Sequence, residues 1–133
     1  MLYFDTSALV KLVHREAETD ALLDWLGERT EMAWLTSALA EVELVRAVRV
    51  AAPADLINVP AVLARVDRVE IDPIVRANAA AVSPPSIRSL DAIHLATALE
   101  LAADLTALVT FDKRLGEAAE AAGLNWESPG SSR

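Results

Sequence analysis

The chain has 133 residues, of which 53% are apolar, and it contains no cysteine. This composition predicts one globular domain with a substantial core, and it excludes disulfides, thiolate metal sites and a cysteine nucleophile. The net charge of −8 argues against loose, charge-driven adhesion to nucleic acid or anionic lipid. Because no basic leader or long uncharged apolar run is present, we expect a cytoplasmic protein without a membrane span.

Strands and helices alternate along the chain. The predicted strands cover residues 2–5, 32–36, 68–72, 107–111 and 124–126. The predicted helices cover residues 7–14, 16–29, from Ser37 as N-cap to Val50, 51–67 with a break or kink at Pro60, 73–82, 89–103 and 113–122. This alternation indicates an α/β domain with a mostly parallel central sheet of four or five strands.

The chain shows no internal repeat and no linker. We therefore expect one domain over residues 1–127. The residues after it, SPGSSR, are small and polar, so residues 128–133 are predicted to form a flexible tail.

The positions of three aspartates are not those expected of ordinary solvent-exposed surface residues. Asp5 and Asp112 each follow a predicted strand and precede a helix, which places both at the carboxyl edge of a parallel sheet. Asp91 lies in the first turn of a helix that is apolar nearly all round, and the helix N-terminus favours an anion there. Helix capping explains each aspartate alone, but it explains the set less well.

A fourth acid comes from the pair Glu41 and Glu43. Residues two apart lie about 200° apart around a helix, so these two glutamates cannot share a face. Glu43 shares its stripe with Ala40 and Ala47, whose small side chains leave room for a neighbour. We therefore assign Glu43 to the site and Glu41 to the exposed surface.

Four converging carboxylates indicate a metal site. Without cations they would repel one another and resist ionisation, whereas hard divalent cations remove this cost. Oxygen ligands suit Mg²⁺ or Mn²⁺, and a chain with no cysteine and two histidines is a poor zinc binder. Such ions activate water and orient a phosphodiester. The residues alone therefore indicate metal-dependent phosphoryl or phosphodiester chemistry.

The four acids lie in the motifs FDTSALVKL, TSALAEVELVRA, LDAIHLATAL and LVTFDKRL. In this order they resemble the PIN-domain ribonucleases, in particular the VapC-type toxins of bacterial toxin–antitoxin pairs, over nearly the whole chain. The resemblance implies a three-layer sandwich with a mostly parallel sheet between helices. It also implies an endoribonuclease that uses metal-activated water, with one or two Mg²⁺ ions (Mn²⁺ can substitute) held by Asp5, Glu43, Asp91 and Asp112.

The resemblance also assigns supporting residues. Hydroxyls near the site would orient the carboxylates, namely Thr6, Ser7 and Thr110. Some relatives carry a further acid shortly after the fourth motif, where this chain has Leu115 and Gly116. In this chain Asp112 would therefore be the one carboxylate that this segment supplies to the metal site. We interpret His94, one turn after Asp91, as a buried hydrogen-bonding residue rather than a general base.

RNA and protein partners follow from the same resemblance. Six basic residues are candidates for contacts to RNA phosphates, and each of them can equally be an ordinary surface charge. They are Lys11, Arg15, Arg46, Arg88, Lys113 and Arg114. The expected substrate is a transfer RNA or ribosomal RNA. The expected assembly is a homodimer that combines with a cognate VapB-type antitoxin into a hetero-oligomer.

Two other functions remain open at this point. The first is an aspartate-based phosphatase or phosphoryl-transfer domain, which uses one aspartate as a covalent nucleophile. A dehalogenase-type site needs a second aspartate two residues after Asp5, where Ser7 stands. The second is a catalytically inactive, acidic interaction module of the same fold, although the presence of all four acids counts against it.

Overall fold

A five-stranded sheet forms the centre of the computed structural model, which describes residues 1–131. The strands are β1 (Leu2–Phe4), β2 (Trp34–Ser37), β3 (Asp67–Val69), β4 (Ala107–Val109) and β5 (Trp126–Glu127). Their order is β3-β2-β1-β4-β5, and each neighbouring pair is parallel. The prediction of a parallel sheet is confirmed, and all strands end at the same edge.

Helices cover both faces of the sheet. Within residues 1–131 the α-helices are α1 (Thr6–Val13), α2 (Thr19–Gly27), α3 (Ala40–Ala51), α4 (Val59–Arg65), α5 (Pro73–Ala81), α6 (Ser89–Glu100) and α7 (Lys113–Ala121). Two 3₁₀ helices span Pro53–Asn58 and Ala102–Asp104. In the part of the chain that the structure describes, no helix is long and apolar enough to cross a membrane.

Alternating side chains of β1 supply two separate hydrophobic cores, as the two-residue period of a strand requires. Leu2 and Phe4 lie in a core with residues of α1, α2, α3 and α4. Tyr3 lies in a second core on the opposite face with residues of α6 and α7. The result is the predicted three-layer α/β sandwich, with β1 and β4 buried in its middle.

The predicted helix 51–67 is divided by its prolines. Pro53 begins a 3₁₀ helix and Pro60 lies in the first turn of α4, where the missing N–H costs no intrahelical hydrogen bond. The prediction that Ser37 caps the next helix is wrong. Ser37 ends β2, its Oγ accepts from the Leu39 N–H at 3.1 Å, and α3 begins at Ala40.

The last described residues follow β5. Ser128 is buried, and a Cβ at Gly130, which has a φ of +83°, would lie 2.7 Å from the Ala21 Cβ. Residues 132 and 133 of the predicted tail lie outside the described residues. The single domain over 1–127 and the flexibility of the tail stay predictions.

Close packing of α7 on β5 leads to the first prediction. A Cβ at Gly116 would lie 2.0 Å from Cε2 of Trp126. We expect Gly116→Ala to lower the free energy of unfolding by about 2 kcal/mol, because the indole and the helix must separate. Gly27→Ala is the matched control, since a Cβ there meets nothing within 4 Å. It should raise stability by about 0.5 kcal/mol, and urea denaturation of both variants measures the difference.

Candidate active site

Asp5 lies directly after β1 and caps α1, and only 4% of its surface is exposed. Its Oδ1 accepts from Ser7 Oγ at 2.7 Å and from the Ala8 N–H at 3.1 Å, while Oδ2 accepts from Thr110 Oγ1 at 2.7 Å. Burial raises the pKa of Asp5, because the charged form loses its hydration, and attraction to His94 and these hydrogen bonds offset only part of that rise. The carboxylate is held in one orientation by three donors.

Ser7 and Thr110 join two strand–helix junctions. Each hydroxyl gives its proton to Asp5 and accepts a backbone N–H from the β4–α7 junction. Ser7 Oγ accepts from Phe111 N at 2.9 Å, and Thr110 Oγ1 accepts from Asp112 N at 3.0 Å. The segment that carries Asp112 is therefore fixed relative to Asp5 by side-chain hydrogen bonds as well as by the pairing of β1 with β4.

Glu43 lies on α3 and faces the site through two hydrogen bonds. Its Oε1 accepts from Thr6 Oγ1 and from His94 Nε2, each at 2.7 Å. Burial raises the pKa of Glu43, but the hydrogen bonds from His94 and Thr6 and the attraction to His94 together hold it below its usual value. Glu41, in contrast, is exposed and accepts from Arg68 Nε at 3.0 Å, as its surface assignment requires.

The hydroxyl of Tyr3 completes this arrangement from the opposite side of His94. Tyr3 is fully buried and His94 is 2% exposed, and the Tyr3 hydroxyl lies 2.7 Å from His94 Nδ1. An ionised Glu43 has no proton to give, so His94 Nε2–H donates to it. Burial and the charge of Asp5 raise the pKa of Tyr3 well above its usual value, which keeps the hydroxyl protonated. Sequence reasoning missed Tyr3, because the apolar strand around it concealed a polar role.

Asp91 lies half-buried in the first turn of α6. Burial raises its pKa, and the charges of Asp112, Asp5 and Glu43 raise it further, while attraction to His94 lowers it. All three other carboxylates therefore oppose the ionisation of Asp91. The structure brings the four sequence-predicted acids to one edge of the sheet.

Asp112 is the N-cap of α7. Its Oδ1 accepts from the N–H groups of Arg114 at 2.9 Å and Leu115 at 3.2 Å. Capping is thus a real role of both Asp5 and Asp112. It does not compete with a role in the site, because in Asp112 both cap hydrogen bonds go to the same oxygen.

The donor set fits a hard divalent cation in its chemistry. Four carboxylates provide oxygen ligands, and the mutual repulsion at Asp91 is the electrostatic cost that a cation removes. In the side-chain positions of residues 1–131, no three Asp, Glu or His side chains stand close enough together to enclose an ion. Closing the carboxylates around a metal therefore requires a change of side-chain position.

The basic residues predicted for RNA separate into two kinds. Lys11 is buried, and its ammonium donates to Glu16 at 3.2 Å and Glu18 at 2.9 Å, with the Phe111 ring 4.6 Å away. Its charge is used inside the fold, so Lys11 does not belong to the exposed basic surface. The exposed ones are Arg15, Arg46, Arg88, Lys113 and Arg114; of these, Arg15 is paired with Asp20 and Lys113 lies 3.9 Å from Glu117.

Comparison with known proteins defines the class of this fold and site. The PIN domain family matches residues 2–121, a range that contains all four acids. Among solved structures, VapC20 of Mycobacterium tuberculosis, a sarcin–ricin loop cleaving toxin, aligns with a TM-score of 0.73 at 15% identity over 97% of this chain and 100% of that one. VapBC2 from Rickettsia felis, bound to a fragment of promoter DNA, aligns with a TM-score of 0.72 at 15% identity over 97% and 99%.

Sequence similarity gives the narrower group. Ribonuclease VapC35 of Mycobacterium tuberculosis is 59% identical over 135 residues, and the match covers 100% of both chains. The chain therefore belongs to the VapC ribonucleases of the PIN-domain family. The resemblance inferred from the four motifs is confirmed, and it favours a nuclease over an aspartate-based phosphatase.

The repulsion at Asp91 leads to the second prediction. We expect Asp91→Asn to raise the melting temperature of the metal-free protein at pH 7 by about 3 °C, because the variant removes a charge that three neighbours oppose. The pKa of Asp91 is raised in the folded state, so the native protein binds more protons there than the unfolded chain. The contribution of Asp91 to stability should therefore fall as pH rises from about 4, the value in the unfolded chain, to the raised pKa of the folded state, and the variant should lack this fall.

Asp24→Asn is the matched control for this experiment. Asp24 is an exposed residue of α2, and its replacement should leave both the melting temperature and its pH dependence unchanged. Thermal unfolding in chelator-treated buffer between pH 4 and 8 provides the measurement. A melting temperature of Asp91→Asn below that of the wild type would contradict the electrostatic account.

Proposed function

We propose that this chain is the toxin of a type II toxin–antitoxin pair, an endoribonuclease that hydrolyses RNA phosphodiester bonds with Mg²⁺-activated water. The observation that supports it most is the half-buried Asp91, whose pKa three further carboxylates raise at the carboxyl edge of the sheet. Its 59% identical relative is a ribonuclease, and PIN-domain ribonucleases in general depend on divalent metals. The choice of Mg²⁺, with Mn²⁺ as a substitute, is part of the proposal.

Asp5, Glu43, Asp91 and Asp112 are the proposed metal ligands and catalytic residues. A divalent cation bound there lowers the pKa of a water ligand and stabilises negative charge on the phosphate. The chain's own contribution is to present the four carboxylates together at one edge of the sheet. Asp91, whose pKa is raised, has the most to gain from a cation.

The neighbouring hydroxyls and His94 are proposed as positioning residues. Ser7 and Thr110 fix the direction of both oxygens of Asp5. Thr6 and His94 fix one oxygen of Glu43, and Tyr3 in turn holds His94. Partners of this kind keep ligands in place and raise metal affinity.

The proposed partners are an RNA, a second copy of the chain and a VapB-type antitoxin. The structural neighbour from Rickettsia felis is a VapBC pair, which supports the antitoxin. The net charge of −8 favours a basic antitoxin segment at the acidic edge. The proposed RNA is a transfer RNA or ribosomal RNA in the cytoplasm. As phosphate contacts we propose the exposed arginines Arg46, Arg88 and Arg114, together with Arg15 and Lys113, whose charges are shared with Asp20 and Glu117.

A cleavage assay tests the proposed function. Purified chain should cut cellular RNA with Mg²⁺ or Mn²⁺ and stop when EDTA is added. Asp5→Asn and Asp91→Asn should each reduce cleavage by at least about 100-fold, because a lost ligand impairs both metal binding and activation of water. Asp24→Asn should cleave like the wild type.

The contrary outcomes are distinct. Equal cleavage by the wild type and both site variants would contradict the proposed metal site and indicate a contaminating nuclease. Absence of any cleavage, with folded protein and either metal, would favour the inactive interaction module. Covalent labelling of Asp5 by a phosphate analogue would favour a phosphatase.

A test of the supporting hydroxyls uses Thr110→Val, which preserves shape and removes one donor to Asp5. We expect the Mn²⁺ affinity to fall by about 10-fold to 100-fold, the range for groups that orient metal ligands. Thr106→Val, at an exposed position before β4, is the matched control and should bind Mn²⁺ like the wild type. Titration followed by electron paramagnetic resonance measures free Mn²⁺ directly. If both variants bind Mn²⁺ with equal affinity, the proposed positioning role of Thr110 is wrong.

A further inference from the structure

A groove of about 700 Å³ begins at the acidic edge and follows α7. One wall consists of Arg114, Glu117, Ala118 and Ala121, whose spacing places them on one face of the helix. The other wall consists of Ser83, Pro84, Ser86, Ile87, Arg88 and Asp91. Asp91 thus belongs both to the acidic site and to the lining of the groove.

The direction of the groove follows from α7. Arg114 lies two residues after Asp112, so that end adjoins the carboxylates. Ala121 lies seven residues farther along, about 10 Å at the rise of an α-helix. The groove therefore leads away from the acidic edge over a distance suited to a nucleotide next to the bond that is cut.

Two guanidinium groups flank the acidic end. Arg88 lies directly before α6, and Arg114 lies in the first turn of α7. Both are exposed residues of the groove lining. Guanidinium groups match the geometry of phosphate oxygens. Positive charge beside four carboxylates is the arrangement that lets an anionic RNA strand approach an otherwise repulsive site.

The remainder of the groove is largely apolar with one strong acceptor. Pro84, Ile87, Ala118 and Ala121 provide apolar surface, against which a flat base can lie. The side chain of Glu117 is 60% exposed, and its ion pair with Lys113 is a long 3.9 Å contact between exposed groups, which holds it only weakly. Its carboxylate is therefore available to accept from the amino group of a base.

We propose that this groove holds the unpaired nucleotide next to the scissile phosphate, and that Glu117 favours a base with an exocyclic amino group over uracil. Cytosine, adenine and guanine carry that donor, and uracil presents a carbonyl instead. Base edges of this kind are accessible in single-stranded loops and not in the narrow major groove of an A-form duplex. The inference rests on the proposed ribonuclease function and names the form of RNA that the site accepts.

The first test varies one base. Uridine oligomers that carry a single cytidine should be cut by the wild type beside the cytidine about tenfold faster than all-uridine oligomers, which is the size of one charge-assisted hydrogen bond. Glu117→Gln, whose amide can present a carbonyl or an amino group, should bring the ratio close to one. Glu28→Gln, at an 80% exposed side chain of another part of the chain, should keep it. A wild-type ratio near one, or an unchanged ratio in Glu117→Gln, overturns the assignment.

The second test fills the groove. Ala121 is an exposed lining residue at the far end, so Ala121→Phe places a ring in the groove without disturbing the core. We expect KM for the cytidine oligomer to rise at least about tenfold while Mn²⁺ affinity stays unchanged. Ala122→Phe, one residue on and outside the lining, should match the wild type. Equal KM values for the two variants would show that RNA does not occupy the groove.

Failure of the proposed function is recognised separately. If the wild type cuts no oligomer with Mg²⁺ or Mn²⁺, the ribonuclease proposal fails. Fluorescence anisotropy with the same oligomers in EDTA then tests the groove alone. Tighter binding of the cytidine oligomer, lost in Ala121→Phe and kept in Ala122→Phe, supports the groove as an RNA site, and equal binding overturns it.

Discussion

The site depends on one interaction, the hydrogen bonding of the buried Asp5 carboxylate. Its position after the central strand β1 removes it from water, and its hydrogen bonds from Ser7 and Thr110 keep the charged form tolerable. The same two hydroxyls accept backbone N–H groups from the segment after β4. One carboxylate thereby fixes the geometry of two neighbouring strand ends.

The other acids divide into two electrostatic environments. Glu43 receives hydrogen bonds from Thr6 and His94 that favour its ionised form. Asp91 meets burial and like charge, both of which oppose ionisation. One side of the site is therefore charged and fixed, and on the other side like charges repel one another. If a cation binds at the proposed site, it relieves that repulsion, so that metal binding and the stability of the metal-free protein are opposing demands at Asp91.

Much of the site was predictable because its signals are local. An acid directly after an apolar strand, as at Asp5 and Asp112, is visible in the sequence, and parallel strands bring such ends together. Helix geometry put Glu43 and Glu41 on different faces, and the small neighbours Ala40 and Ala47 indicated that Glu43 is the one that faces the site. The role of Tyr3 and the burial of Lys11 were not predictable, since both depend on partners such as His94 and Glu18 that the fold brings to them.

Sequence by itself determined the α/β class and the approximate elements, and it indicated the four acids proposed as metal ligands, because periodicity and strand-end residues act over short distances. The tertiary structure decided the order β3-β2-β1-β4-β5, which places Asp5 beside Asp112. It also decided the start of α3 after Ser37 and the groove along α7. These features depend on burial and on contacts between distant segments, so no local pattern of residues could specify them.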